Sequence, residues 1–115
     1  MKIVWAILLT VGITVAAPSA RDIEPFLLKY CVDCHDTETS EGDLNFQTLD
    51  RKITDENVDH WRRVFDQLYR VGMPPSNKKQ PSPAERSEAV ATLLNSLVVH
   101  LDAKSKSQTI LRRLN

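Results

Sequence analysis

Apolar residues in this chain fall into three stretches of helical spacing, separated by segments rich in proline, glycine and small polar residues. No stretch alternates with the two-residue rhythm of a strand, so the pattern predicts an all-α fold. Ile23, Phe26, Leu27, Tyr30, Cys31 and Cys34 recur at three and four residues, which predicts a first helix carrying both cysteines on its apolar face. Asp22 would cap that helix, and Pro25 is tolerated because it falls in the first turn. A second helix is predicted from about Asp55 to Val71. Its stripe is Val58, Trp61, Val64, Phe65 and Leu68, with Arg62, Arg63, Asp66 and Arg70 mostly on a solvated face and Gly72 placed to end it. Ser82-Pro83-Ala84-Glu85 combines an N-cap serine, a proline at the first helical position and a capping-box glutamate. The helix it opens continues through Ala89, Val90, Leu93, Leu94, Leu97, Val98 and Leu101.

Between these helices the periodicity breaks twice. From Asp36 to about Lys52, Thr37, Thr39, Ser40, Gly42 and Asp43 are loop formers, while Leu44, Phe46 and Leu49 are apolar residues able to face a ligand. Met73 to Pro81 holds three prolines in nine residues and cannot be regular helix.

The two ends read differently from the middle. Lys2, the apolar run Ile3 to Val15 and the small residues Ala16 to Ala20 have the layout of a secretory signal, expected over residues 1–20. The run is short for a bilayer span, which takes about 20 residues. No membrane span is expected after cleavage, and an uncleaved anchoring helix is the lesser alternative. Residues 21–102 form the expected domain. Residues 103–115 read as a linker followed by the start of a further segment that stops early.

With 15 basic and 15 acidic residues the charge is balanced, and loss of Lys2 with the signal leaves the remainder near minus one. No basic patch points to nucleic acid. About 80 residues bury a modest core, and domains of that size often need a staple.

Cys31-Val32-Asp33-Cys34-His35 supplies one. Two thiols three positions apart can reach both vinyl groups of one porphyrin edge, and the following histidine falls beneath the iron as proximal ligand. Export into an oxidising compartment leaves a Cys31–Cys34 disulfide open as an alternative, but neither a disulfide nor a thioredoxin-like site requires the histidine. Zinc wants four ligands in paired groups, and the remaining histidines stand alone. The other face of an iron held by His35 needs a donor, and Met73, opening a proline-constrained loop, is the first candidate. Its ordinary alternative is core filler. His60 and His100 are rival ligands, with His60 expected at the surface and His100 beside the apolar face of the last helix. Trp61 could pack at a haem edge or simply fill the core.

These residues resemble the small class I c-type cytochrome domains, in particular the planctomycete-type cytochrome c domain. The resemblance rests on Phe26 to His35, the turn Gly42-Asp43-Leu44, Trp61 with Val64 and Leu68, Gly72-Met73-Pro74-Pro75, and the helix opening Pro83-Ala84-Glu85-Arg86. It implies a fold of three to four helices around a covalently attached haem c, over about residues 22–101. It further implies thioethers at Cys31 and Cys34 and axial bonds from His35 and Met73, while Leu44, Phe46 and Trp61 are the residues whose apolar character would let them pack on the haem. The function expected is outer-sphere, one-electron transfer in the periplasm with transient redox partner proteins, without enzymatic activity of its own. A five-coordinate haem enzyme or gas sensor, and a haem-free disulfide-containing binding module, are the competing functions.

Overall fold

The computed structural model describes residues 23–114, so the expected signal, the Asp22 cap and Asn115 lie outside the described residues. Within them the fold is all-α, as expected: α1 (Glu24–Tyr30), α2 (Val58–Tyr69) and α3 (Pro83–Leu114), with one 3-10 turn at Glu41–Asp43 and no strand. No described helix is long and apolar enough to cross a membrane.

The predicted stripes turn inward. Trp61, Val64 and Leu68 of α2 share one core with Ala89, Leu93 and Leu97 of α3, with Ile23 and Leu27 at the amino end, and with Phe46 and Ile53 from the long loop. Trp61, Leu27 and Leu93 are wholly removed from solvent, and each contributes about 1.5–3 kcal/mol by burial.

Three boundaries differ from the expectation. α1 stops at Tyr30, so the cysteines are not on its face. The Leu27 carbonyl accepts both Cys31 N–H (2.9 Å) and Val32 N–H (3.1 Å). That second, wider bond ends the 3.6-residue register just before the first thiol. α2 begins at Val58 because residues 55–57 form a turn in which Asn57 Oδ1 accepts from Thr54 N–H (2.8 Å). α3 runs straight through residues 103–108, expected as a linker. Ala103, Lys104, Lys106 and Gln108 are good helix formers, and Asp102–Lys106 (2.8 Å) and Asp55–Lys104 (3.0 Å) pair along the way.

The loop between α1 and α2 is held by side chains rather than by a ladder. The Arg51 guanidinium donates to the Leu49 (2.6 Å) and Phe46 (2.7 Å) carbonyls and pairs with Glu24. Asn57 Nδ2 donates to Lys52 O (2.8 Å), and Trp61 Nε1 to Asp50 O (3.1 Å).

The start of α3 carries the predicted capping box: Glu85 N–H donates to Ser82 Oγ (3.1 Å) and Ser82 N–H to Glu85 Oε2 (2.9 Å). The same carboxylate takes Lys29 Nζ (2.7 Å) and Tyr30 OH (3.0 Å), fastening the end of α1 to the start of α3. Lys29 first, then Ser82, hold the Glu85 carboxyl down at about 2.

Two predictions follow from this frame. Because the folded value of Glu85 lies below the ordinary 4.5, its stabilisation is complete above that pH and fades as pH falls towards about 2. Glu85→Gln should therefore lower the urea midpoint near neutrality, and the gap to the unaltered protein should shrink on acidification through that window. Val71, exposed and β-branched, holds φ at +60°, a left-handed conformation that costs about 1–2 kcal/mol. Val71→Asn, which tolerates that region, should raise stability by about 1 kcal/mol in the same assay.

Candidate functional site

The turn after α1 is a single helical coil of its own. His35 N–H donates to Cys31 O (3.1 Å) and to Val32 O (3.1 Å), and Cys34 N–H to Cys31 O (3.3 Å). The one-turn spacing of the two thiols is thus kept, although the helix expected to carry it has ended. Phe46 N–H then reaches back to His35 O at 2.8 Å. This bond brings the 36–46 loop onto the turn and sets the Phe46 ring edge-on to the imidazole, 5.6 Å between centroids.

Beside this turn lies a cleft of 660 Å³ lined by Cys31, Cys34, His35 and Met73, within the roughly 300–1,000 Å³ usual for cofactor sites. Its apolar walls are Leu44, Phe46, Val64, Leu68 and Pro74. Lys29, Arg62, Arg63, Lys78 and Lys79 line it together with Asp33, Glu41 and Asp66. Arg62, Arg63 and Asp66 are thus more than a solvated face of α2.

Both cysteines are free thiols. Burial pushes the Cys31 thiol up to about 12, with Cys34 adding to the effect and the Arg86 charge opposing it. The thiol is accordingly neutral in its apolar setting. His35 lines the cleft, and its Nδ1 is buried without a hydrogen-bond partner. Two thiols able to attach a porphyrin, with an imidazole and a thioether able to donate to its iron, share one apolar cleft and fit a covalently held haem.

The other sequence candidates lie elsewhere. Trp61 does not line the cleft. It packs behind Phe46, 6.3 Å between ring centroids, and belongs to the core. His60 is also off the cleft, and its Nδ1 is buried without a partner rather than solvated as expected of a surface residue. His100 Nε2 pairs with Asp55 Oδ1 at 3.0 Å on a separate surface. Among the described residues no group of three or more His, Cys, Asp or Glu side chains is placed to hold a metal ion.

The pattern gave less notice of Val64, Leu68 and Pro74 as cleft walls, since residues that serve both core and cleft carry the same hydrophobic signal.

Residues 31–77 match the family model of Planctomycete cytochrome C. The expected resemblance is therefore found over a segment that contains Cys31, Cys34, His35 and Met73. The family is one of haem-binding cytochrome domains, which the donor set of the cleft fits. No curated protein matches the chain, and no solved structure does.

The separation of core from cleft is testable. Trp61→Phe removes the indole donor from Asp50 O, and should cost about 1–3 kcal/mol in urea unfolding while leaving the visible spectrum of the haem-loaded protein unchanged. Phe46→Ala, which removes a core residue and the ring against His35, should cost about 3–5 kcal/mol and also shift that spectrum.

Proposed function

We propose that this chain is a mono-haem c-type electron-transfer domain, with Cys31 and Cys34 as thioether attachment points and His35 and Met73 as axial donors. The observation that carries the reading is that one apolar cleft gathers both thiols and both donors from two segments 38 positions apart, at residues 31–35 and at Met73. When bound, haem c supplies an iron that changes oxidation state by one electron. The chain's own residues do the remainder. Leu44, Phe46, Val64 and Leu68 line the cleft and would keep water from a bound iron, offering the apolar surroundings that help set its potential. The imidazole of His35 is oriented by its contact with Phe46. The thioether of Met73 is a soft donor that favours the reduced state and raises the potential relative to a second histidine.

With both His35 and Met73 bound, the iron would have no vacancy for a substrate, which favours an electron carrier over an enzyme. Arg62, Arg63, Lys78 and Lys79 are the cations available to carboxylates at the cleft mouth. The amino-terminal pattern of residues 1–20 supports export to the periplasm, with redox partner proteins met through small, transient contacts.

The test uses protein produced in a periplasm that has haem-attachment machinery. A sharp reduced c-type band, haem retained on denaturation and a methionine–iron charge-transfer band in the oxidised state are expected. Met73→Leu should abolish the charge-transfer band with haem still attached. Cys31→Ala with Cys34→Ala should abolish attachment. Attached haem without the methionine band would point to an open site, and absence of haem to a disulfide-bearing module.

A further inference from the structure

Met73 lies in a segment without regular structure, yet its backbone is held on both sides. Its N–H donates to Gln67 O at 3.3 Å, beside Gly72 N–H on the same carbonyl at 2.9 Å. A Cβ at position 72 would meet the tip of the Gln67 side chain, which would have to swing aside, while the Gln67 carbonyl leaves it ordinary contact distance. On the other side the Met73 carbonyl accepts from Arg86 Nη1 at 2.7 Å.

That guanidinium makes two further bonds. It donates to Leu68 O at the end of α2 (3.2 Å) and, through Nη2, to Gln80 Oε1 (3.1 Å). The Gln80 amide turns back and donates to the carbonyls of Pro74 (3.1 Å), Pro75 (2.7 Å) and Lys78 (3.2 Å). One arginine and one glutamine thus reach five carbonyls in and around this loop, of which those of Leu68 and Pro75 also accept a backbone N–H.

The position of Arg86 strengthens the argument. A cation in the first turn of α3 faces the wrong end of that helix's dipole. Its fork instead reaches the carboxyl end of α2, where a positive charge is favoured. A lysine has no planar fork and could not serve three acceptors in fixed directions.

We infer that Arg86, supported by Gln80, is the positioning residue for Met73, fixing its peptide groups so that the thioether is presented to the cleft. This rests on the His35/Met73 ligation proposed above. With the Met73 backbone held, only the side-chain torsions remain to be ordered when the sulfur binds. Without Arg86 the loop would have to be ordered as well, and an external ligand would compete more successfully.

The experiment titrates the oxidised, haem-loaded protein with imidazole and follows loss of the methionine–iron charge-transfer band, alongside the far-ultraviolet helix signal and the melting temperature. Arg86→Met should keep haem and helix content and bind imidazole about tenfold more tightly, the order of one hydrogen bond to a charged group. Gln80→Ala should shift binding in the same direction, and Arg86→Lys should fall between Arg86→Met and the unaltered protein. Imidazole affinities equal to the unaltered protein in Arg86→Met and Gln80→Ala, even with lower melting temperatures, would make Arg86 merely structural and overturn the inference. If Arg86→Met does not accumulate, Gln80→Ala and Arg86→Lys decide between the same two outcomes. A missing charge-transfer band in the unaltered protein would instead remove the ligation reading, and this inference with it.

Discussion

The packing of α2 on α3 is the constraint from which the rest of the molecule takes its place. Trp61, Val64 and Leu68 on one helix and Ala89, Leu93 and Leu97 on the other are drawn into one core, and the long loop and α1 are fastened to that pair. Each attachment runs through few residues. Glu85 holds the end of α1, Arg51 and Asn57 hold the loop, and Arg86 holds the segment that follows α2. The helices supply stiffness, while these polar side chains determine where the irregular segments, and with them the donor residues, come to lie.

A division of labour follows from this arrangement. The segments proposed to carry chemistry, 31–35 and 73, lie outside the three helices, since a long regular helix commits its side chains to a 3.6-residue rhythm and its carbonyls to its own ladder. Freed carbonyls then need other donors, and the structure provides them from Arg51, Gln80 and Arg86. The loops are therefore ordered without secondary structure, and their order depends on single side chains far more than that of the helices does.

Much of this was legible in the pattern of residues. The α2 stripe, the Ser82–Glu85 box and the irregular Met73–Pro81 segment stand where spacing and proline content put them, because each is governed by interactions within a few residues. The Cys31–His35 motif stood out by residue type and spacing, and the structure sets its cysteines and histidine on the cleft wall. What spacing could not show was the wide turn at Leu27 that ends α1 early, since periodicity at Cys31 and Cys34 is satisfied equally by a helix or by a separate turn in register with it. Trp61 was ambiguous for a related reason, as a large apolar residue reads the same whether it faces a core or a cofactor. The Arg86 and Gln80 bonds span up to 18 positions and end on backbone carbonyls, which leave no trace in residue type.

Phe46, Val64 and Leu68 are buried in the core and at the same time line the cleft. One face of each side chain belongs to the fold and the other to whatever fills the cavity. Whatever occupies the cleft thus binds the folded chain and not the unfolded one, and shifts the folding equilibrium by mass action. The empty chain exposes apolar surface that the filled one covers, so it is the form that proteases and chaperones would meet. A loaded domain would in turn tolerate core substitutions that its empty counterpart could not survive, so occupancy sets how much sequence drift this small fold can absorb.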